Sequence, residues 1–206
     1  MRLTALCIAD GRVPAGRADG STGICKAPVG TTAILGPLGL EGDRIVNRRY
    51  HGGPDQAVYL ECEDDIAWWQ DELDLPLPAG AFGENLRISG IGNRDIAAGD
   101  RLVIGDVVLE ATAPRIPCST FAALMGDPTF VKHYTAAARP GVYFRVLQPG
   151  KLILESEVTY HPHQGERIAM PELMAVYLKR PDRERVGRYL AVPIAERLRA
   201  HLSRDN

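Results

Sequence analysis

Before Cys62 the chain rarely runs far without a glycine, a proline or an aspartate, and that punctuation limits what it can fold into. The segments Leu3–Ala9, Thr32–Leu35, Ala57–Leu60, Asn85–Ile88, Arg101–Ile104 and Val107–Ala111 are short and rich in β-branched or apolar residues. Between them lie the turn signals "GPLGLEGD", "HGGPD", "GIGNRD" and "IGD". Many short strands broken by Gly, Pro and Asp predict a mainly β barrel or sandwich, with a few helices added. "RLVIGDVVLEAT" reads as a hairpin with a Gly-Asp pair between two apolar runs. "GVYFRVLQPGKLILE", Gly141 to Glu155, repeats the theme with a turn expected at "QPG".

Helices interrupt this pattern. "CEDDIAWWQDEL" puts Ile66, Trp69 and Leu73 on one face and acidic residues at its start. "STFAALMG" predicts a short helix after Cys118 that stops at Gly126. In "DPTFVKHYTAAARPG", Asp127 is the expected N-cap and Pro128 the first helical residue. From Pro171 the tail reads as helices, with Asp182 capping the second and Pro193 opening the third. Such short helices do not stand alone in water. They are expected to pack on each other, on the sheet or on a second copy of the chain. The expected division is residues 1–165 as the β domain and 166–206 as a helical appendage.

A length of 206 residues fits one domain with a small appendage. Acidic and basic residues nearly cancel, 26 against 24, so no basic field awaits a nucleic-acid polymer and a small-molecule partner is favoured. No apolar run approaches the ~18 residues of a membrane helix. "MRLTALCIADGR" lacks the apolar length and cleavage site of a signal peptide, so the chain is read as cytoplasmic. Cys7, Cys25, Cys62 and Cys118 form no CxxC pair, which argues against structural zinc and against a disulfide framework.

Four stretches can carry chemistry. In "PRIPCSTF", Cys118 follows two prolines, stands at an expected helix start and has Arg115 three residues before it. Both the helix and the arginine favour a thiolate, which can be a nucleophile or a soft metal ligand. The plainer reading is a half-buried cysteine in a strand-to-helix turn. A nucleophile would want a histidine base, for which His51 and His133 are the candidates. "GAFGENL" places Glu84 and Asn85 after two glycines, and Asn85 offers a donor and an acceptor to a heterocycle. "HGGPDQAVYL" offers His51 and Asp55 in a glycine turn, and "GICKAP" offers Lys26 for a phosphate. "GAFGEN" lacks the spacing of a dinucleotide fingerprint and there is no Walker loop.

Taken together and in order, "GICKAPV", "GLEGD", "HGGPDQAVYL", "GAFGENLRISG", "AAGDRLVIGDVVLEATAPRIPC" and "GVYFRVLQPG" resemble the MOSC domain, named for the C-terminal domain of molybdenum-cofactor sulfurases. More narrowly they resemble its stand-alone YiiM-type members. The resemblance spans roughly residues 22–150, and the helical tail is similar to the three-helix appendage of that type. It implies an irregular, mostly antiparallel β-barrel and Mo-molybdopterin as cofactor. The implied activity is reduction of N-hydroxylated compounds such as hydroxylaminopurines, with electrons from a separate reductase. It makes Cys118 the molybdenum ligand. Lys26, Arg115 and Asn85 become expected cofactor contacts, and Glu84, His51 and Asp55 supporting residues or proton donors. Gln56 departs from the pattern, because YiiM-type proteins commonly carry lysine there. A carrier of cofactor or sulfur, a cysteine hydrolase and a docking module are the rival readings, and a homodimer through the tail is a further expectation.

Overall fold

The computed structural model describes residues 1–16, 22–46 and 51–203. Eight strands form one sheet: β1 (Arg2–Ala9), β2 (Lys26–Pro28), β5 (Val58–Cys62), β6 (Leu86–Ser89), β7 (Arg101–Ile104), β8 (Val107–Pro114), β9 (Val142–Gln148) and β11 (Val158–His161). Their order is β11-β7-β8-β9-β5-β6-β1-β2. A smaller sheet joins β10 (Gly150–Ile153), β3 (Thr32–Gly36) and β4 (Gly39–Leu40) in that order. All pairings are antiparallel except β5 with β6. That parallel pair needs a crossover, which α1 (Glu63–Leu73) supplies.

The expected barrel is not closed by a continuous ladder. Among the described residues the β11 end approaches β1, the strand next to the β2 edge, at an isolated bridge, Arg2 to Glu157, with main-chain hydrogen bonds from Leu3 to Ser156, Glu155 to Leu3 and Val158 to Met1. The fold is thus a sheet-dominated α/β structure whose sheet curls towards closure. The "RLVIGDVVLEAT" hairpin forms as expected, with Ile104 opposite Val107. "QPG" is not a hairpin turn: β9 stays with β5 and β8, whereas β10 leaves to pair with β3. Pro149 has no N–H to donate, so the ladder breaks there and the chain changes sheets.

The helices follow their spacing, with one shift. α2 (Ser119–Met125) ends at Gly126, and α3 spans Phe130–Ala137. Thr129, not Asp127, precedes that first turn; the Asp127 carboxylate instead accepts from the Thr129 N–H at 2.7 Å. In the tail, α4 (Met170–Ala175), α5 (Arg183–Ala191) and α6 (Glu196–Ser203) follow, and Asp182 accepts from the Arg185 N–H as a cap. α6 begins after Pro193 by one loop, Ile194 and Ala195, rather than at it.

Two apolar cores result. The larger fills the sheet and runs without a break into the tail through Leu173, Val186, Ile194, Leu198 and Leu202. The second is aromatic: Trp69, Phe82, Phe121, Phe130 and Tyr134 pack under α1, α2 and α3, with Trp69 stacked on Tyr134 at 5.5 Å. Buried aromatics of this kind add about 0.5–1.5 kcal/mol per ring pair beyond their area. This core fixes α2, and so the loop carrying Cys118. Among the described residues no helix is long and apolar enough to cross a membrane.

Candidate functional site

The ends of β2, β5 and β9, the turn before β6 and the loop after β8 surround a cleft of about 790 Å³, counted out to its open mouth. Lys26, His51, Tyr59, Asn85, Arg115, Cys118 and Tyr143 line it. Five positions singled out in the sequence, Lys26, His51, Asn85, Arg115 and Cys118, therefore converge across 92 residues of chain. Gly80 explains part of the convergence. It takes φ +87°, and a Cβ there would lie 2.4 Å from the Lys26 carbonyl oxygen, so only glycine lets the "GAFGEN" turn press against β2.

Cys118 is half-buried and stands where β8 gives way to α2. Burial is the largest single influence and would raise its pKa, but the Arg115 guanidinium and the N–H groups at the start of α2 together outweigh it and hold the thiol below its usual range. The Phe121 and Thr120 N–H groups approach the sulfur and act in the same direction, without completing a capping hydrogen bond. Cys7 and Cys62 show the contrast: burial pushes Cys7 up to about 12 in spite of the Arg87 and Lys26 charges, and Cys62 well above its ordinary value. Cys118 is thus the cysteine placed to act as a thiolate. Arg115 is only 3% exposed and has no carboxylate at ion-pair distance among the described residues. It donates to the Ile116 carbonyl at 2.7 Å and lies 4.8 Å from the Phe121 ring centroid and 5.7 Å from that of Tyr59. Aromatic faces replace an anion around it.

The opposite wall is a closed polar unit. The Lys26 ammonium pairs with Asp43, which also accepts from Asn85 Nδ2 at 2.8 Å and from the Ala9 N–H at 2.8 Å. Asn85 donates as well to the Cys7 carbonyl at 3.2 Å, and its Oδ1 accepts from the Tyr59 N–H at 3.2 Å. Its amide is therefore spent on tying β1 to β5, and the expected contact to a heterocycle would require it to give up a protein partner. Asp43 is one of the cleft residues that sequence reasoning missed, with Tyr59 and Tyr143. It was legible only as part of the "GLEGD" turn, and its pairing with Lys26 is a long-range fact.

The other expected site residues lie elsewhere. Glu84 is fully buried behind the wall, where it accepts from the Gly80 and Phe82 N–H groups at 2.6 and 2.9 Å and from Arg87 at 2.6 Å. It holds the glycine turn and does not line the cleft. Asp55 points away towards the tail, accepting from the Glu196 N–H at 2.7 Å and pairing with Arg145 at 2.9 Å. His51 does line the cleft, but burial, with the Arg115 and Arg197 charges, lowers its pKa to about 4, so at neutral pH it is an uncharged imidazole. Gln56, the departure from the family pattern, lines the cleft and accepts from Arg197 Nη1 at 2.8 Å. A cation from the tail therefore stands beside the position where the resemblance implied a lysine. His133 is bound to Glu72 at 3.0 Å and is not among the residues lining the cleft.

The donor set can be tested against the expected cofactor. Among the described residues no group of three His, Cys, Asp or Glu side chains could hold a bare metal ion. One soft thiolate beside a buried, carboxylate-free guanidinium suits a metal that arrives with sulfur ligands of its own and carries negative charge. Cys118 and Arg115 therefore fit a molybdenum–dithiolene group. Lys26 fits its phosphate less well, because Asp43 already neutralises it.

A family model described as the MOSC domain matches residues 47–159. The chain is 34% identical over 131 residues to the uncharacterized protein YflK of Bacillus subtilis, covering 64% of this chain and 59% of that one. It is 33% identical over 107 residues to a Gibberella moniliformis protein named "Reductase", covering 50% of this chain and 19% of that protein. The crystal structure of YiiM from Geobacillus stearothermophilus superposes with a TM-score of 0.80 over 98% of this chain and 97% of that one, at 22% identity. The chain thus spans between a fifth and three fifths of the length of these curated relatives and nearly all of the solved structure.

Proposed function

Since the chain belongs to the MOSC domain family, we propose that it binds molybdenum cofactor in the cleft and reduces N-hydroxylated compounds with electrons from a separate reductase. The observation that carries this reading is Cys118, a thiol facing the cleft and held below its usual pKa beside Arg115. The relative named "Reductase" supports the reaction class. When bound, the cofactor supplies the two-electron redox chemistry, and the protein's share is orientation and electrostatics. Cys118 would hold it as the single protein sulfur. Arg115, whose positive charge is reinforced by Tyr143 and Tyr59 against the cost of burial, balances the anionic sulfurs beside it. Neutral His51 offers one donor and one acceptor to a substrate amine or hydroxyl. The Lys26–Asp43–Asn85 unit keeps the far wall rigid. Tyr59 and Tyr143, 5.2 Å apart between ring centroids, give a planar substrate an aromatic surface.

The test is the molybdenum and pterin content of protein made in a cofactor-competent host, followed by turnover of an N-hydroxylated base with a reductase. Near-stoichiometric molybdenum in wild type and none in Cys118→Ala is expected. Equal molybdenum in both proteins would remove Cys118 as ligand. Loaded protein without turnover would leave a cofactor carrier.

A further inference from the structure

Glu61, on β5, is a buried carboxyl that the reading above does not use. It is wholly enclosed, and among the described residues no basic side chain stands at ion-pair distance from it. From its own strand Tyr59 donates its hydroxyl to Oε1. From α3 the Tyr134 hydroxyl approaches the same oxygen at 3.5 Å, and from the turn before β7 Asn93 Nδ2 donates to Oε2. The charged neighbours are already matched: Asp65 on α1 is paired with Arg139 and Glu84 with Arg87. Gly141, ahead of β9, closes the remaining side. A Cβ there would lie 2.3 Å from Oε1 and 2.6 Å from the Tyr59 ring, so the chain uses the one residue that lets this pocket form. Tyr59 is both the partner of Glu61 and a residue of the cleft wall.

We propose that Glu61 is the proton store of the cleft and acts through the Tyr59 hydroxyl. This rests on the N–O reduction reading. That reaction, R–NH–OH + 2e⁻ + 2H⁺ → R–NH₂ + H₂O, breaks the N–O bond with two electrons from the external reductase and consumes two protons. Tyr59 gives its hydroxyl proton towards the cleft and takes one from Glu61. Glu61 is recharged by the reverse path when the cleft is open to water, and water in the cleft supplies the other proton. His51 and Asp43, which also line the cleft, are poor acids at neutral pH. His51 is already deprotonated above about pH 4. Asp43 is held ionised, because Lys26 and the donors to it outweigh burial. Glu61 differs: burial pushes its pKa up to about 8, against the lowering by Tyr59 and Asn93 and with help from Glu84 and Asp65. A purely structural carboxyl would serve as well as an amide, and the experiment separates these roles.

Infrared spectra of the protein as purified, with or without molybdenum, should contain the C=O stretch of a protonated carboxyl at pH 7. The band should titrate near pH 8 and be absent from Glu61→Gln. Tyr59→Phe should keep the band while cutting the link. In loaded protein, wild-type kcat should fall as pH rises through the same midpoint. Both variants should lose at least roughly 100-fold in kcat with molybdenum content unchanged, and Glu61→Gln should lose that alkaline limb. No band at pH 7, or a Glu61→Gln protein with wild-type kcat and pH profile, overturns the proposal. Loaded wild type that reduces no N-hydroxylated compound overturns the reduction reading and the relay with it. The infrared band, which does not depend on turnover, tells that failure from the others.

Discussion

Of the cations that line the cleft, Lys26 and Arg115 have buried side chains, yet these two are not equivalent. Lys26 has its charge consumed by Asp43, whereas Arg115 is packed between aromatic rings with no carboxylate beside it among the described residues. Sequence position suggested the same job for both, an anion contact. Their partners separate them: one wall is a closed internal salt bridge that gives the cleft its shape, and the other leaves a guanidinium free to act on the thiol and on a ligand. The largest expected effect comes from opening the closed wall. Asp43→Asn strands a buried ammonium and should cost about 3–5 kcal/mol in denaturant unfolding. The two partners answer burial differently. Burial lowers Lys26 in spite of Asp43, while Lys26 lowers Asp43 in spite of burial. Burial thus offsets part of what the pair gains, and Lys26→Met with Asp43→Asn, which leaves no unpaired charge, should cost less than Asp43→Asn alone. A double variant as unstable as the sum of its singles would refute the closed-wall account. Because the folded pKa of Asp43 lies below its ordinary value, the stability it contributes is complete above about pH 4. It is lost as pH falls through the lowered value.

The open wall is sharpened by thiol chemistry. Replacing Arg115 with Gln removes the charge that opposes burial most strongly at Cys118, so the thiol pKa should rise. Alkylation of Cys118 at pH 7 should then slow by roughly tenfold for each unit of that rise. Lys26→Gln should leave the rate where it was. Equal slowing by both variants would mean that the two cations act on the sulfur alike, and the distinction between the walls would fail.

What the sequence made legible follows from the range of the forces involved. The two-residue hairpin at Gly105 and Asp106, the stop of α2 at Gly126 and the Asp182 cap are decided within a few residues, and each forms as the local chemistry directs. The failures are long-range. Nothing near "QPG" says that β10 has a better partner in β3, and nothing near "GLEGD" says that Asp43 will meet Lys26. Cys118, Arg115, His51, Lys26 and Asn85 could be picked out as a group only because several fragments resembled one family together. The same resemblance could not say that Asn85 would spend its amide on Cys7, Asp43 and Tyr59. Glu61 went unnoticed because the apolar run reads as a strand ending at Leu60, whereas β5 runs on to Cys62 and is buried throughout.

The smallest expected effect concerns the boundary between sheet and tail, where Asp55 was read as a candidate catalytic residue. Its carboxylate is used twice, for the first N–H of α6 and for Arg145, so its work is to seat the tail on the turn after His51. That seating also brings Arg197 to Gln56 at the cleft mouth. Loss of a capping acceptor costs about 1 kcal/mol, and the partly exposed pair with Arg145 adds at most as much. Asp55→Ala should therefore lower the unfolding free energy by about 1–2 kcal/mol. Asp55→Asn, which keeps an oxygen for the Glu196 N–H, should recover part of that. If Asp55→Ala left the unfolding midpoint unchanged, the tail would be held by its apolar face alone, through Leu198 and Leu202, and the position of Arg197 at the cleft would need another cause.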